Sequence, residues 1–374
     1  MKRVLKKTLL TFNSHEAWIY QLSALDYSLD IVVGLNGRYT ETWDTRIRPI
    51  PANARLIDLH EAQTSSARYA CIIGHNTTDL LDVRHRLDPR ILVLHLPIEA
   101  RQAEEDSIVS PPLMRKLLHK YASLVGAHVV AVSAFKGKSW GFTQDVVPFG
   151  FEPGDYAPCS GEKVCALRVC NFVQRRKKFL LWDFHEKAFQ GLPVRIVGYN
   201  PEMPAAEPSR NWTHLKGMFQ SHRFFIHTAN PELEDGYNMA TIEAMAAGLP
   251  VLGNCHPGSP AIHGVSGFLS DDPQKLRGYA KLLLGNRQLA MEMGMQARKT
   301  AKELFSINTF KRSFEKSIRM AQHKNQAASR SLLAARSSAA QILARPDANR
   351  RPGIMELATK ARSTISKAKK VVVH

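Results

Sequence analysis

The chain has 374 residues, 44% of them hydrophobic, and a net charge of +18; the length suffices for two domains, and no apolar run approaches the roughly eighteen residues of a membrane-spanning helix. Such a positive field draws polyanions: nucleic acid, an anionic membrane surface or an acidic saccharide. The five cysteines (Cys71, Cys159, Cys165, Cys170, Cys255) are scattered, with no CxxC or His–Cys cluster, which argues against a zinc site and for reduced thiols in the cytoplasm.

In chain order, residues 1–10 are basic and then apolar, like a signal peptide. The apolar part is too short, and polar Asn13 to Glu16 follow at once, so this stretch reads as a first strand. Strands are predicted at residues 8–12, 29–34, 54–59, 69–73, 90–96 and 128–132. Helices are predicted at 17–25, with Trp18, Ile19, Leu22 and Leu25 on one side, and at 114–125. Alternating strands and helices imply a parallel sheet with ligands at the carboxyl ends of its strands. His15, Glu16, His75 and His95 fall at or near such ends. The stretch 145–158 is dense in Pro and Gly and places a domain boundary near residue 155.

Beyond the boundary, strands are predicted at 167–172, 194–198 (ending at Gly198) and 223–229. The run Gln174-Arg175-Arg176-Lys177-Lys178 follows the first of them. The connection 199–221 is short, so a helix there is expected to be reduced or missing. The most informative stretch is Glu234-Asp235-Gly236-Tyr237-Asn238-Met239-Ala240-Thr241-Ile242-Glu243-Ala244-Met245-Ala246-Ala247-Gly248-Leu249-Pro250-Val251-Leu252-Gly253. An acidic pair and a Gly form a loop. Apolar and small residues then recur at spacings of three and four, which predicts a short helix capped by Gly248 and stopped by Pro250. The first turn of such a helix has unpaired N–H groups and a dipole, both of which favour an anion. Gly236 lets backbone approach a ligand, and Glu243 offers a carboxylate to adjacent hydroxyls. A phosphate at a helix start, with carboxylates on hydroxyls, describes a nucleotide sugar. Further helices are predicted at 274–284 and 287–305.

From Asn325 onward ten Lys and Arg face two Asp and Glu, a net +8, with Pro346 and Pro352 as breakers. Residues 354–371 place Ile354, Leu357, Ala361, Ile365 and Ala368 on one stripe, which fits either a basic interfacial helix or a disordered solvated tail.

The stretch from Glu234 to Gly253 resembles glycosyltransferase family 4, with its acidic residue, Gly, aromatic and small residue, then Glu-Ala-Met-Ala and Gly-x-Pro-Val. Asp235 stands at the first acidic position, where the family usually has Glu, and Asn238 replaces a common Gly. Asp145 to Pro158 is similar to the family's crossover, and Gly258-Ser259-Pro260 with Gly264 to Leu269 to its donor-side turn and closing strand. The resemblance implies an α/β fold of the GT-B kind: two Rossmann-like domains facing a cleft, residues 1–155 for the acceptor and 156–324 for the nucleotide sugar, with 325–374 as a basic tail. It further implies that Glu243 holds the ribose hydroxyls and Asp235 the transferred sugar. The start of the helix, with Gly236, Tyr237, Asn238 and Met239, would receive the diphosphate, and Gly198 would lie beneath the base. Asn171 stands where the family has an Arg, so the diphosphate role passes to Arg176 and Lys177 or Lys178. His95 would approach the donor sugar. Ser133 reads as a helix N-cap rather than a nucleophile.

The expected activity is a retaining, metal-independent sugar transfer from a nucleotide-diphosphate sugar, with no cofactor and no metal site. Fixed cations and N–H groups would stabilise the departing diphosphate, and a donor phosphate oxygen would take the acceptor proton. The expected acceptor is a saccharide or lipid-linked envelope molecule, reached from the cytoplasm at an anionic membrane surface. A glycosyltransferase acting on a hydroxylated base of DNA fits the same charge, and so does a non-catalytic nucleic-acid-binding protein on the same scaffold.

Overall fold

The structure, a computed structural model, describes residues 7–39, 41–104 and 108–344. Its first half is β1 (Thr8–Phe12), α1 (Glu16–Tyr20), β2 (Ser28–Val32), β3 (Ala54–Ile57), α2 (Leu59–Thr64), β4 (Cys71–Gly74), α3 (Thr77–Asp82), β5 (Arg90–Leu94), α4 (Ile98–Glu104), α5 (Pro111–Leu124), β6 (Ala127–Ala131) and α6 (Ala134–Trp140). Its second half is β7 (Lys163–Val169), α7 (Trp182–Phe189), β8 (Val194–Val197), α8 (Trp212–Ser221), β9 (His222–Ile226), α9 (Met239–Ala247), β10 (Val251–Gly253), β11 (Gly267–Leu269), α10 (Pro273–Gly285), α11 (Arg287–Leu304) and α12 (Ile307–Ala344).

Two parallel sheets result, the first ordered β3-β2-β1-β4-β5-β6 and the second β11-β10-β9-β7-β8. The strands are near-continuous runs of buried apolar residues, such as Leu9-Leu10 and Ile72-Ile73, paired Leu10 to Ile72 and Thr11 to Ile73. Such runs suit strands covered by helices on both faces. Strand order reverses between β1 and β4 in the first sheet and between β7 and β9 in the second. A doubly wound sheet opens a crevice at such a reversal, outside the carboxyl ends of the strands. The loops after β1, β4, β7 and β9 are therefore the ones placed to hold ligands.

Three local differences from the sequence reading have physical causes. The helix expected at 17–25 splits into α1 and a 3-10 turn at Gln21–Ala24, where Gln21 accepts a hydrogen bond from the Gly150 amide of the crossover (2.9 Å). The connection 199–221 keeps a ten-residue helix, α8, capped by Asn211 on the His214 amide. It is short because only an isolated bridge, Val197 to Glu207, stands between β8 and α8. The final helix starts earlier than a tail would. From Ile307 to Asn325 it lies on the first sheet, although the sequence grouped residues up to 324 with the second domain. Phe310 and Phe314 are buried against Trp18, each worth about 1.5–3 kcal/mol of burial, and Lys324 donates to the Ala127 carbonyl (2.7 Å). The stripe expected at 354–371 lies outside the described residues.

Candidate active site in the interdomain cleft

The signature helix folds as its sequence dictates. Asn238 caps α9 by accepting from the Thr241 amide (2.8 Å), and Gly248 ends it in the left-handed region at φ 89°. Thr241 returns a hydroxyl to the cap. The amides of Met239 and Ala240 have no acceptor among the described residues, which leaves them to an anion. Gly236 is required by close approach. A Cβ there would lie 2.3 Å from the Ser259 amide nitrogen, because the loop Cys255–Pro260 is folded onto the acidic loop. His256 makes that fold: its Nδ1 accepts from the Gly258 amide (2.9 Å), so its Nε2–H donates to the Glu234 carbonyl (3.0 Å).

Glu243 is 3% exposed yet not packed in apolar surroundings. Its Oε1 accepts from the Arg48 guanidinium of the N-terminal half and from the Tyr156 hydroxyl (2.6 Å) of the crossover. Its Oε2 has no partner among the described residues. One oxygen thus anchors the carboxylate, and the other carries no hydrogen bond among the described residues. Arg48 is held in turn by stacking on Trp212 (4.3 Å). Burial beside that carboxylate pushes the Tyr156 phenol well above its usual range, so it stays a hydrogen-bond donor. Arg48 and Tyr156 also line a cavity of about 410 Å³, with Tyr20, Gln21, Gly150 and Trp212.

Asp235 is engaged at both oxygens by the opposite wall. Ser133 donates to Oδ1 (2.8 Å), and the Lys136 ammonium lies 2.7 Å from Oδ2. Ser133 also caps α6 on the Lys136 amide, the N-cap role its sequence implied. Arg176 donates to Glu234 (2.7 Å). Burial alone would raise the Glu234 carboxyl, but Lys136 and Arg176 outweigh it and hold it below its usual value. Lys177 and Lys178 are exposed and make no ion pair or side-chain hydrogen bond among the described residues. The loop that carries these cations is fixed from below. Arg168, fully buried, donates to Thr228 (2.9 Å) and to the Leu180 carbonyl (3.1 Å), while Asn200 accepts from the Val173 amide (2.8 Å).

The N-terminal wall is built at the β1–β4 reversal. His75 bridges Thr11 Oγ1 and His95 Nε2, both at 2.9 Å, with Trp18 edge-on to both rings. Burial, with His15 nearby, pushes His75 down to about 3, and burial with His75 and Lys136 puts His95 well below its usual value. Both rings are neutral at physiological pH.

Among the residues singled out from sequence, Asp235 meets Ser133 and Lys136 of the N-terminal half, Glu243 meets Arg48 of that half, and Arg176 meets Glu234 beside Asp235. Tyr237 leans on Phe305 (5.1 Å) in the core, and Gly198 ends β8 against the Cys170 backbone. The sequence reading missed Arg48, Lys136, Tyr156, Trp212 and His256. Tyr156 had a signal, the acidic-aromatic-x-Pro exit of the crossover; Arg48 and Lys136 had none, since they act across the cleft. Among the described residues, no three His, Cys, Asp or Glu are grouped to hold a metal ion, and no helix is long and apolar enough to cross a membrane.

No protein-family profile matches the chain, and no curated protein matches it. Solved structures do. HepE from Anabaena, solved with UDP and glucose, is 13% identical over 83% of this chain and 98% of its own, at a TM-score of 0.63. Sucrose-phosphate synthase from Thermosynechococcus elongatus is 12% identical over 86% and 99%, at 0.56. WaaG, a glycosyltransferase involved in lipopolysaccharide biosynthesis, is 12% identical over 84% and 99%, at 0.53. The likeness spans nearly the whole length of each, and with the two parallel sheets it gives this chain the GT-B fold.

Proposed function

We propose that the chain is a retaining, metal-independent glycosyltransferase taking a nucleotide-diphosphate sugar as donor. The observation that carries this reading is the half-used carboxylate of Glu243, fixed through Oε1 and open at Oε2, one turn below the unspent amides of Met239 and Ala240. Ribose hydroxyls donate to Oε2, and the pyrophosphate accepts from the amides and from Arg176. Asp235 takes a sugar hydroxyl in place of the Ser133 hydroxyl, while Lys136 keeps its charge paired. As the glycosidic C–O bond to the diphosphate breaks, the leaving charge grows where amides and cations already stand. The acceptor hydroxyl attacks from the same face and gives its proton to a donor phosphate oxygen.

The fold shared with HepE, solved with UDP and glucose, supports a UDP-sugar. Thermal melting with UDP-, GDP-, ADP- and CMP-sugars, EDTA present throughout, tests donor and metal independence together. At a hundredfold excess over Kd a ligand adds about 2.7 kcal/mol to native stability; no shift with any of the four contradicts the reading.

For the acceptor, α5 favours a saccharide or lipid-linked molecule at an anionic membrane surface over DNA. Leu113, Leu117 and Leu124 are exposed there beside exposed Lys116 and Lys120, with no acidic residue from 108 to 126. Leucines gain nothing from a phosphate backbone but bury into a lipid interface. Leu117→Glu with Leu124→Glu is expected to abolish sedimentation with phosphatidylglycerol vesicles; undiminished sedimentation removes this support.

A further inference from the structure

The unusual feature of the N-terminal wall is a directed chain of neutral hydrogen bonds that ends in the cleft. Two neutral imidazoles sharing one N–N contact cannot both donate, so His75 Nδ1 and His95 Nε2 (2.9 Å) are one donor and one acceptor. Which is which is decided at the other end. Thr11 is 0% exposed, and among the described residues its hydroxyl has one hydrogen-bond neighbour, His75 Nε2, at 2.9 Å. If His75 donated to Thr11, the threonine proton would be buried with no acceptor, at a cost of about 1–3 kcal/mol. The threonine proton therefore goes to His75 Nε2. His75 must then carry its own proton on Nδ1 and donate to His95 Nε2, which leaves the His95 proton on Nδ1. That nitrogen has no protein partner among the described residues, and its ring feels the charge of Lys136, which holds Asp235 (2.7 Å).

We propose that Thr11 and His75 are positioning residues that lock His95 as the Nδ1–H tautomer, so that His95 offers the cleft a hydrogen-bond donor and not a base. The inference deepens the glycosyltransferase reading and rests on it for what the donor meets. A ring so locked suits an oxygen of the sugar, and it leaves proton removal from the acceptor to the donor phosphate. Thr11 lies on β1 and His75 at the end of β4, so the reversal of strand order brings them together. Residues 64 apart in sequence would otherwise have no reason to meet.

The test needs no substrate. Long-range proton–nitrogen correlation spectra of the nitrogen-15-labelled full chain report which ring nitrogen of His95 bears hydrogen. The expected result is Nδ1–H alone for His95 and Nδ1–H for His75. In Thr11→Val, which keeps the shape and removes the hydroxyl, His95 is expected to become a mixture of tautomers; Thr11→Ser is expected to restore the single form. His95 protonated on Nε2 in the unmodified chain overturns the proposal, whether or not the variants fold, and so does an unchanged single tautomer in Thr11→Val. These outcomes are independent of the nucleotide-sugar screen, so the failure of one reading is distinguishable from the failure of the other.

Discussion

Two regions of the molecule are ordered by different means. Between the halves, carboxylates of the C-terminal half form ion pairs with cations of the N-terminal half, Glu243 with Arg48 and Asp235 with Lys136, and Glu234 pairs with Arg176 of its own half. On the floor of the N-terminal wall His75 and His95 are stripped of charge by burial and ordered by hydrogen bonds and by Trp18 packed edge-on to both rings. The difference teaches how one crevice can be prepared for both halves of a transfer. In the proposed transfer, standing charges would lower the barrier to departure of the diphosphate, and neutral His95 would add a directed donor beside charged Asp235 at the sugar.

The strongest way to break this contrast is to remove one member of the buried pair. Glu243→Leu leaves Arg48 buried without its counter-ion and is expected to cost about 3–5 kcal/mol in urea denaturation. Arg48→Met added to it should recover most of that loss, because two apolar groups of similar size need no pairing. Additive losses in the double variant would mean that the two side chains do not depend on each other.

A smaller effect sharpens the neutral side. His75 has a folded-state pKa of about 3 against an ordinary 6.5, lowered first by burial and then by His15. The unfolded chain therefore binds a proton that the folded chain refuses, so stability falls as pH drops through 6.5 and keeps falling toward 3. His75→Asn, which retains a polar group near Nδ1, is expected to reduce the fall of the melting temperature over that window, with buried His95 and His227 supplying the remainder. A variant with the same acid sensitivity as the unmodified protein would show that His75 is not held neutral.

The smallest effects separate three of the four clustered cations. Arg176→Ala is expected to weaken UDP binding about tenfold, the scale of one charge-assisted hydrogen bond. Lys177→Ala and Lys178→Ala are each expected to change it less than about twofold, since both side chains are exposed. A larger loss at either lysine would move the diphosphate outward along the loop.

Much of this arrangement was legible in the chain. The strands of both sheets announced themselves as apolar runs between Gly, Pro and polar breaks. The signature loop could be read to a helix start near Asn238 and a stop at Gly248, while the capping role of Asn238 itself came only with the structure. What could not be read was contact across the cleft. Arg48 sits in a loop without periodicity, and its meaning comes from Glu243, 195 positions away. Lys136 looks like any first-turn cation until Asp235 is brought to it. The extent of the last helix was hidden for a related reason: the burial of Phe310 and Phe314 depends on Trp18, far off in sequence.

The central claim is that the open oxygen of Glu243 receives the ribose of a nucleotide. Calorimetric titration of UDP into the unmodified chain and into Glu243→Gln, with circular dichroism to confirm the fold, tests it most directly. The account predicts binding that weakens tenfold or more, about 1.4 kcal/mol, when the carboxylate becomes an amide. Equal affinity in the two proteins would contradict it.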